Sequence, residues 1–115
     1  MQKFAATIAM CFALAGCQTP TQEADAKADK LWEAAGPYAK CVVARADELA
    51  RQPEDPYYLA LAAKASCARQ RSEVADVISR VYRPATWQDI NRIVDKRVEE
   101  AAITRIVNRR ASGGV

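Results

Sequence analysis

The chain has 115 residues, half of them apolar and 27% charged, with a formal net charge of +3. That length admits one domain with a small core, and the basic run NRRA, residues 108–111, is too short to support nucleic-acid binding. Histidine is absent, which disfavours Cys/His zinc sites and Cys/His or Ser/His nucleophilic catalysis. The charge is unevenly placed: residues 18–60 carry five Lys/Arg against eight Asp/Glu, and residues 61–115 carry eleven against six. This is either an ordinary solvated mixture or a basic C-terminal face that meets something anionic.

The N-terminus opens Met1-Gln2-Lys3 and continues with the apolar run FAATIAMCFALAG, residues 4–16, before Cys17. One lysine followed by a short apolar stretch has the form of a secretory signal peptide. A run of thirteen residues is shorter than the roughly 20 that a spanning helix needs. Leu14-Ala15-Gly16-Cys17 resembles the lipobox of bacterial lipoproteins: Leu, two small residues, then Cys. The resemblance covers only the first seventeen residues. It implies that residues 1–16 are removed as a signal peptide and that Cys17 carries diacylglycerol through a thioether. An acyl chain such as palmitate is often added to the new α-amino group. It further implies a lipid anchor in the cell envelope. Gln18, rather than Asp, at the second mature position favours the outer membrane, facing the periplasm. At about 0.8 kcal/mol per buried methylene, two or three acyl chains make such an anchor effectively permanent.

With Cys11 removed and Cys17 lipidated, Cys41 and Cys67 remain, in an oxidising compartment. Between them lies QPEDP, residues 52–56, a breaker with two prolines. If both flanks are helices, each cysteine stands eleven residues from this turn, about 16 Å along its axis. An antiparallel hairpin thus sets them at one height, which favours a Cys41–Cys67 disulfide over two free buried thiols.

Residues 17–22 read as a lipidated tether, 23–110 as the helical domain and 111–115 as a flexible tail. A helix is expected from about Glu23, with Ala24, Ala28, Leu31, Trp32 and Ala35 on one face. Gly36-Pro37 should kink or break it, and a helix then runs from Pro37 to about Arg51, lined by Tyr38, Val42, Ala46 and Leu49. Asp55 as N-cap and Pro56 at the first helical position open a second helix, to about Tyr82. Its stripe is Tyr57, Ala60, Leu61, Ala63, Cys67, Ala68, Val74, Ala75, Ile78, Val81 and Tyr82. Tyr57 and Tyr58 either close the core or form a recognition tip. Pro84 ends this helix, and Thr86 is the expected N-cap of a third, from Trp87 to about Arg110, with the stripe Trp87, Ile90, Val94, Val98, Ala101 and Ala102. The expected fold is all-α: a small three-helix bundle, or a helical hairpin plus a C-terminal helix, stapled by one disulfide.

Beyond Ala102, Ile103, Ile106 and Val107 rotate away from the Trp87 stripe. Either the helix wraps or outruns its neighbours, or these residues form a second apolar strip, flanked by Arg105, Arg109 and Arg110, that docks a partner or the membrane surface. No phosphate-binding loop, metal-ligand cluster or converging acid pair is visible. Glu99-Glu100 and Asp47-Glu48 are neighbours that point about 100° apart on a helix. The expectation is a non-enzymatic protein without cofactor, metal or nucleic-acid partner. It would bind or brace another envelope component; the alternative is an inhibitor or exclusion lipoprotein acting against a lytic enzyme or an incoming partner.

Overall fold

The computed structural model describes residues 20–113. Residues 1–19, with the lipobox-like Leu14-Ala15-Gly16-Cys17, and the last two residues lie outside the described residues. What is described is all-α, with four helices and a single 3₁₀ turn: α1 (Pro20–Leu49), α2 (Pro56–Ala65), α3 (Ala68–Val81), the turn Pro84–Thr86, and α4 (Trp87–Ala111). No described helix is long and apolar enough to cross a membrane.

α1 is a single 30-residue helix that begins at Pro20, three residues before the expected start, and runs unbroken through Gly36 and Pro37. Continuity wins because the residues on either side of the pair share one buried stripe: Leu31, Ala35, Tyr38, Val42 and Ala46. Packing of that stripe outweighs the local cost of Pro37, which removes one N–H from the ladder and itself points to solvent.

The expected second helix is two. It starts as the sequence predicts, with the Asp55 carboxylate accepting the Tyr57 N–H at 2.9 Å and Pro56 at the first helical position. It then breaks at Ser66 and Cys67. The Ser66 hydroxyl donates to the Ala63 carbonyl at 2.8 Å, and the Cys67 N–H closes a tight bond to Lys64 O at 3.0 Å. A serine that competes for helix carbonyls in this way weakens the regular ladder. A new ladder starts when the Arg71 N–H donates to Cys67 O.

Thr86 is the N-cap of α4, as expected, but its side chain does not cap. Its hydroxyl donates instead to Arg83 O at 2.8 Å within the 3₁₀ turn. The Trp87 indole N–H donates to Tyr82 O at 2.8 Å and ties the end of α3 to the start of α4.

α1 packs against α3 and α4 along most of its length, and α2 packs against both α1 and α4. Chain direction makes this a three-rod antiparallel bundle whose middle rod is the jointed pair α2–α3. The core is lean: six of its sixteen buried side chains are alanine, and Tyr38 is the largest of those fully buried. Small side chains let the helix axes approach closely but contribute little area each. On α4 the buried stripe is Val94, Val98, Ala102 and Ile106. Each four-residue step turns the stripe by about 40° around the helix, so it winds. The winding follows a change of neighbour: Asp95 faces Arg71 of α3, whereas Glu99 faces Lys64 of α2. Ala101, expected in the core, is exposed as a result, and Ile106 is fully buried.

Candidate partner surface

Cys41 and Cys67 form the disulfide, with Sγ atoms 2.11 Å and Cα atoms 6.0 Å apart. Cys67 is buried at the α2–α3 joint and Cys41 lies at the flank of the α1 stripe, half-buried. Arg45 of α1 donates to the Ser66 hydroxyl at 3.3 Å and pairs with Glu48, so the joint is held to α1 by a covalent and a polar contact.

The strip expected at the end of α4 divides into residues that hold the bundle and residues that face outward. Ile106 is core. Arg110 turns back onto the α1–α2 loop, where its guanidinium donates to the carbonyls of Ala50 (3.2 Å), Gln52 and Glu54 (2.7 Å). Arg105 bonds Asp47 of α1 at 3.1 Å, and Arg109 lies 3.9 Å from the same carboxylate. These arginines therefore close the end of the bundle rather than rim a free basic patch. Ile103 is half-buried against the core, and Val107 remains 48% exposed. Of the six residues, Ile103 and Val107 are the ones that keep apolar surface on the outside.

Two further exposed side chains join them. Ile93 is 49% exposed on α4, and its spacing of ten and fourteen residues from Ile103 and Val107 places it on the same outward face. Tyr57, 46% exposed, lies seven residues before Lys64, two turns along the same side of α2. Since the Lys64 ammonium bonds Glu99 of α4 at 3.0 Å, that side of α2 borders α4. Tyr57 also stacks edge-on against Tyr58, with ring centroids 5.7 Å apart. The expected core role of Tyr57 is not observed. Ile93 escaped the sequence reading because a search for the inward stripe passes over single apolar residues on the opposite face; the 4-3 spacing of outward positions was the available signal.

The polar side chains that reach toward the interior link helices. Arg71 of α3 bonds both oxygens of Asp95 (2.9 and 3.3 Å) and the side-chain oxygen of Asn91, and its guanidinium lies 5.9 Å from the centre of the Tyr38 ring. Burial, and secondarily the Asp95 carboxylate, push the Tyr38 hydroxyl up to about 12 against the opposing pull of Arg71. On the other flank Arg97 of α4 sits 4.8 Å over the Trp32 ring of α1, a cation–π contact. No group of three or more His, Cys, Asp or Glu converges as a metal site among the described residues. A depression of about 560 Å³ forms an open trough between α1 and α3, lined by Lys30, Glu33, Ala34, Val77, Arg80 and Val81. Its mixed charges and shallow apolar floor converge on no common point. No family model, no curated protein and no solved structure matches this chain.

Proposed function

We propose that the protein is a small lipid-anchored envelope protein, tethered through Cys17 to the periplasmic face of the outer membrane, and that it acts as a non-enzymatic binding module. The observation that carries this reading is the sequence Leu14-Ala15-Gly16-Cys17, whose first three residues end a thirteen-residue apolar run and whose cysteine follows it directly. Two features of the helical domain support it. Its interior polar groups are engaged in helix-to-helix contacts, as Arg71 with Asp95. Its exposed large apolar side chains, Tyr57, Tyr58, Ile93 and Val107, lie where a binding partner gains by covering them.

The anchor is tested with Cys17→Ala in the full-length chain. The variant should stay at precursor length and leave the membrane fraction when the cells are broken. A Cys17→Ala protein that is trimmed normally and still sediments with membranes would overturn the anchor. The binding role is tested by crosslinking the lipidated form in cells: a defined envelope protein should be trapped through side chains at Tyr57 or Val107, and not through the α1–α3 trough.

A further inference from the structure

We propose that the outward face of α4 is a self-association seam, and that its occupant is a second copy of this chain lying antiparallel across it. The proposal rests on the binding-module reading and names the partner.

The positions concerned are Asp89, Ile93, Lys96, Glu100, Ile103 and Val107, which follow one another at steps of four, three, four, three and four residues. That is the spacing of a seam between paired helices. On a helix these six project within about 80° of one another. Ile93 and Val107 are about half exposed and Ile103 is half-buried, so the seam retains apolar surface that the bundle does not cover. Lys96 and Glu100 at its centre are both exposed. Neither has an ion-pair partner among the described residues, although the two lie one turn apart.

Charge complementarity selects the occupant. In an antiparallel pair centred near residue 98, Lys96 of each copy faces Glu100 of the other, two opposite-charge contacts close to the axis. The same register sets Ile93 against Ile103 of the second copy, again twice, as an apolar layer on each side of the charged centre. A parallel pair would instead oppose Lys96 with Lys96 and Glu100 with Glu100. A two-fold interface must be complementary to itself, and residues 93–103 satisfy that demand in one orientation. At each end Asp89, paired with Arg92 of its own helix at 3.3 Å, falls opposite Val107 of the second copy, outside the complementary stretch. The charged layer fixes register at some cost in stability, as polar seam positions do in paired helices. An anionic membrane surface fits less well, because the face carries Asp89 at one end and Glu100 at its centre. Tyr57, on the side of α2 that borders α4, extends the covered area. A two-fold axis along the bilayer normal lets both chains remain anchored in one membrane.

The test uses full-length chains carrying two different C-terminal tags, produced in the same cells and solubilised in excess detergent. Capture of one tag should recover the other. Lys96→Glu and Glu100→Lys, each present in both tagged copies, place like charges across the axis, and recovery should fall to background. Co-production of a Lys96→Glu copy with a Glu100→Lys copy restores both opposite-charge contacts, and recovery should return. Both substitutions are at exposed positions, and circular dichroism confirms that each variant is folded. Failure of the wild-type copies to capture one another would overturn the proposal, as would indifference to the single reversals or no rescue by the mixed pair. A fourth outcome also overturns it: no self-capture, with binding to phosphatidylglycerol vesicles lost on Lys96→Glu, which marks a membrane face. Repeating the capture with Cys17→Ala copies separates this from the anchor. Self-capture should persist there, whatever becomes of membrane partition.

Discussion

Tyr38, Arg71 and Asp95 show how little polar chemistry this interior contains and how closely it is tied to packing. The Tyr38 ring is 1% exposed, and its hydroxyl is pushed up to about 12 by burial first and by Asp95 second. In the unfolded chain the phenol ionises near its ordinary value of about 10. Between roughly pH 10 and 12, therefore, the folded state holds a proton that the unfolded state has lost, and stability falls as pH rises. The contribution is fully present below about pH 10, and its loss amounts to about 2–3 kcal/mol by pH 12. Tyr38→Phe removes the ionisation and keeps the ring. Urea unfolding at pH 9 and pH 11 should show wild type losing ground to the variant across that interval, and an equal gap at both values would refute the linkage. Arg71 is the second test at this scale. Arg71→Met keeps the stem but leaves Asp95 and Asn91 without their partner. Breaking a fully buried pair costs about 3–5 kcal/mol, but the Asp95 side chain is 36% exposed and can rehydrate. The expected loss is roughly 1–2 kcal/mol, read from the urea midpoint. A loss above about 4 kcal/mol would mean that water does not reach Asp95.

At the scale of helices, most boundaries were legible where one physical signal dominated, and were misread where two competed. The Asp55-Pro56 start was legible because cap and first-turn proline act locally. Gly36-Pro37 reads as a breaker by propensity, yet the buried stripe from Leu31 to Ala46 carries α1 through it. A Cβ built at Gly36 meets nothing within 4 Å apart from its chain neighbours, but the residue that follows is Pro37, whose Cδ crowds a Cβ on a helical residue before it. Helix propensity alone would have Gly36→Ala stabilise the protein by roughly 0.5–1 kcal/mol; crowding by Pro37 should cancel that gain and leave the melting temperature unchanged. A destabilised variant would show that the chain around Pro37 needs the freedom glycine gives. The Ser66–Cys67 joint was not legible, because Ala-Ser-Cys-Ala carries neither proline nor glycine and its break depends on side-chain hydrogen bonding. Arg110 was legible only as a charge. Its three bonds reach carbonyls more than fifty residues away, a relation that no local pattern encodes. Arg110→Lys keeps the charge but not the planar fork that reaches several carbonyls at once. It should cost about 1–2 kcal/mol and speed proteolytic cleavage within residues 51–55. An unchanged cleavage rate would mean the loop is held without the arginine.

For the whole molecule the question is how a core rich in alanine stays folded, and the disulfide answers much of it. The pairing of Cys41 with Cys67 was legible because eleven residues on either side of a proline-marked turn set the two at one height. The winding of the α4 stripe was legible only as one of two readings of Ile103, Ile106 and Val107, since which helix lies beside each turn is not a period of the sequence. That is why Ile106 stands between core and partner surface in the sequence, and why Ile93 gives no inward signal. The bridge spans 26 residues, for which restriction of the unfolded chain predicts a contribution of about 3–4 kcal/mol. For a domain of this size that is a large part of the net stability, typically about 5–15 kcal/mol. Reduction is a cleaner probe than substitution, because Cys67 is fully buried and Cys67→Ala would add a cavity cost of its own. Reduced protein should therefore keep its helical circular dichroism in buffer and lose about 3–4 kcal/mol in urea. If the bridge acts by constraining the unfolded state, the reduced chain also expands further when it unfolds, and the dependence of stability on urea concentration becomes steeper. A drop in midpoint with no change in that slope would place the stabilisation in the folded state instead, in the contacts that the bridge holds between α1 and the Ser66–Cys67 joint.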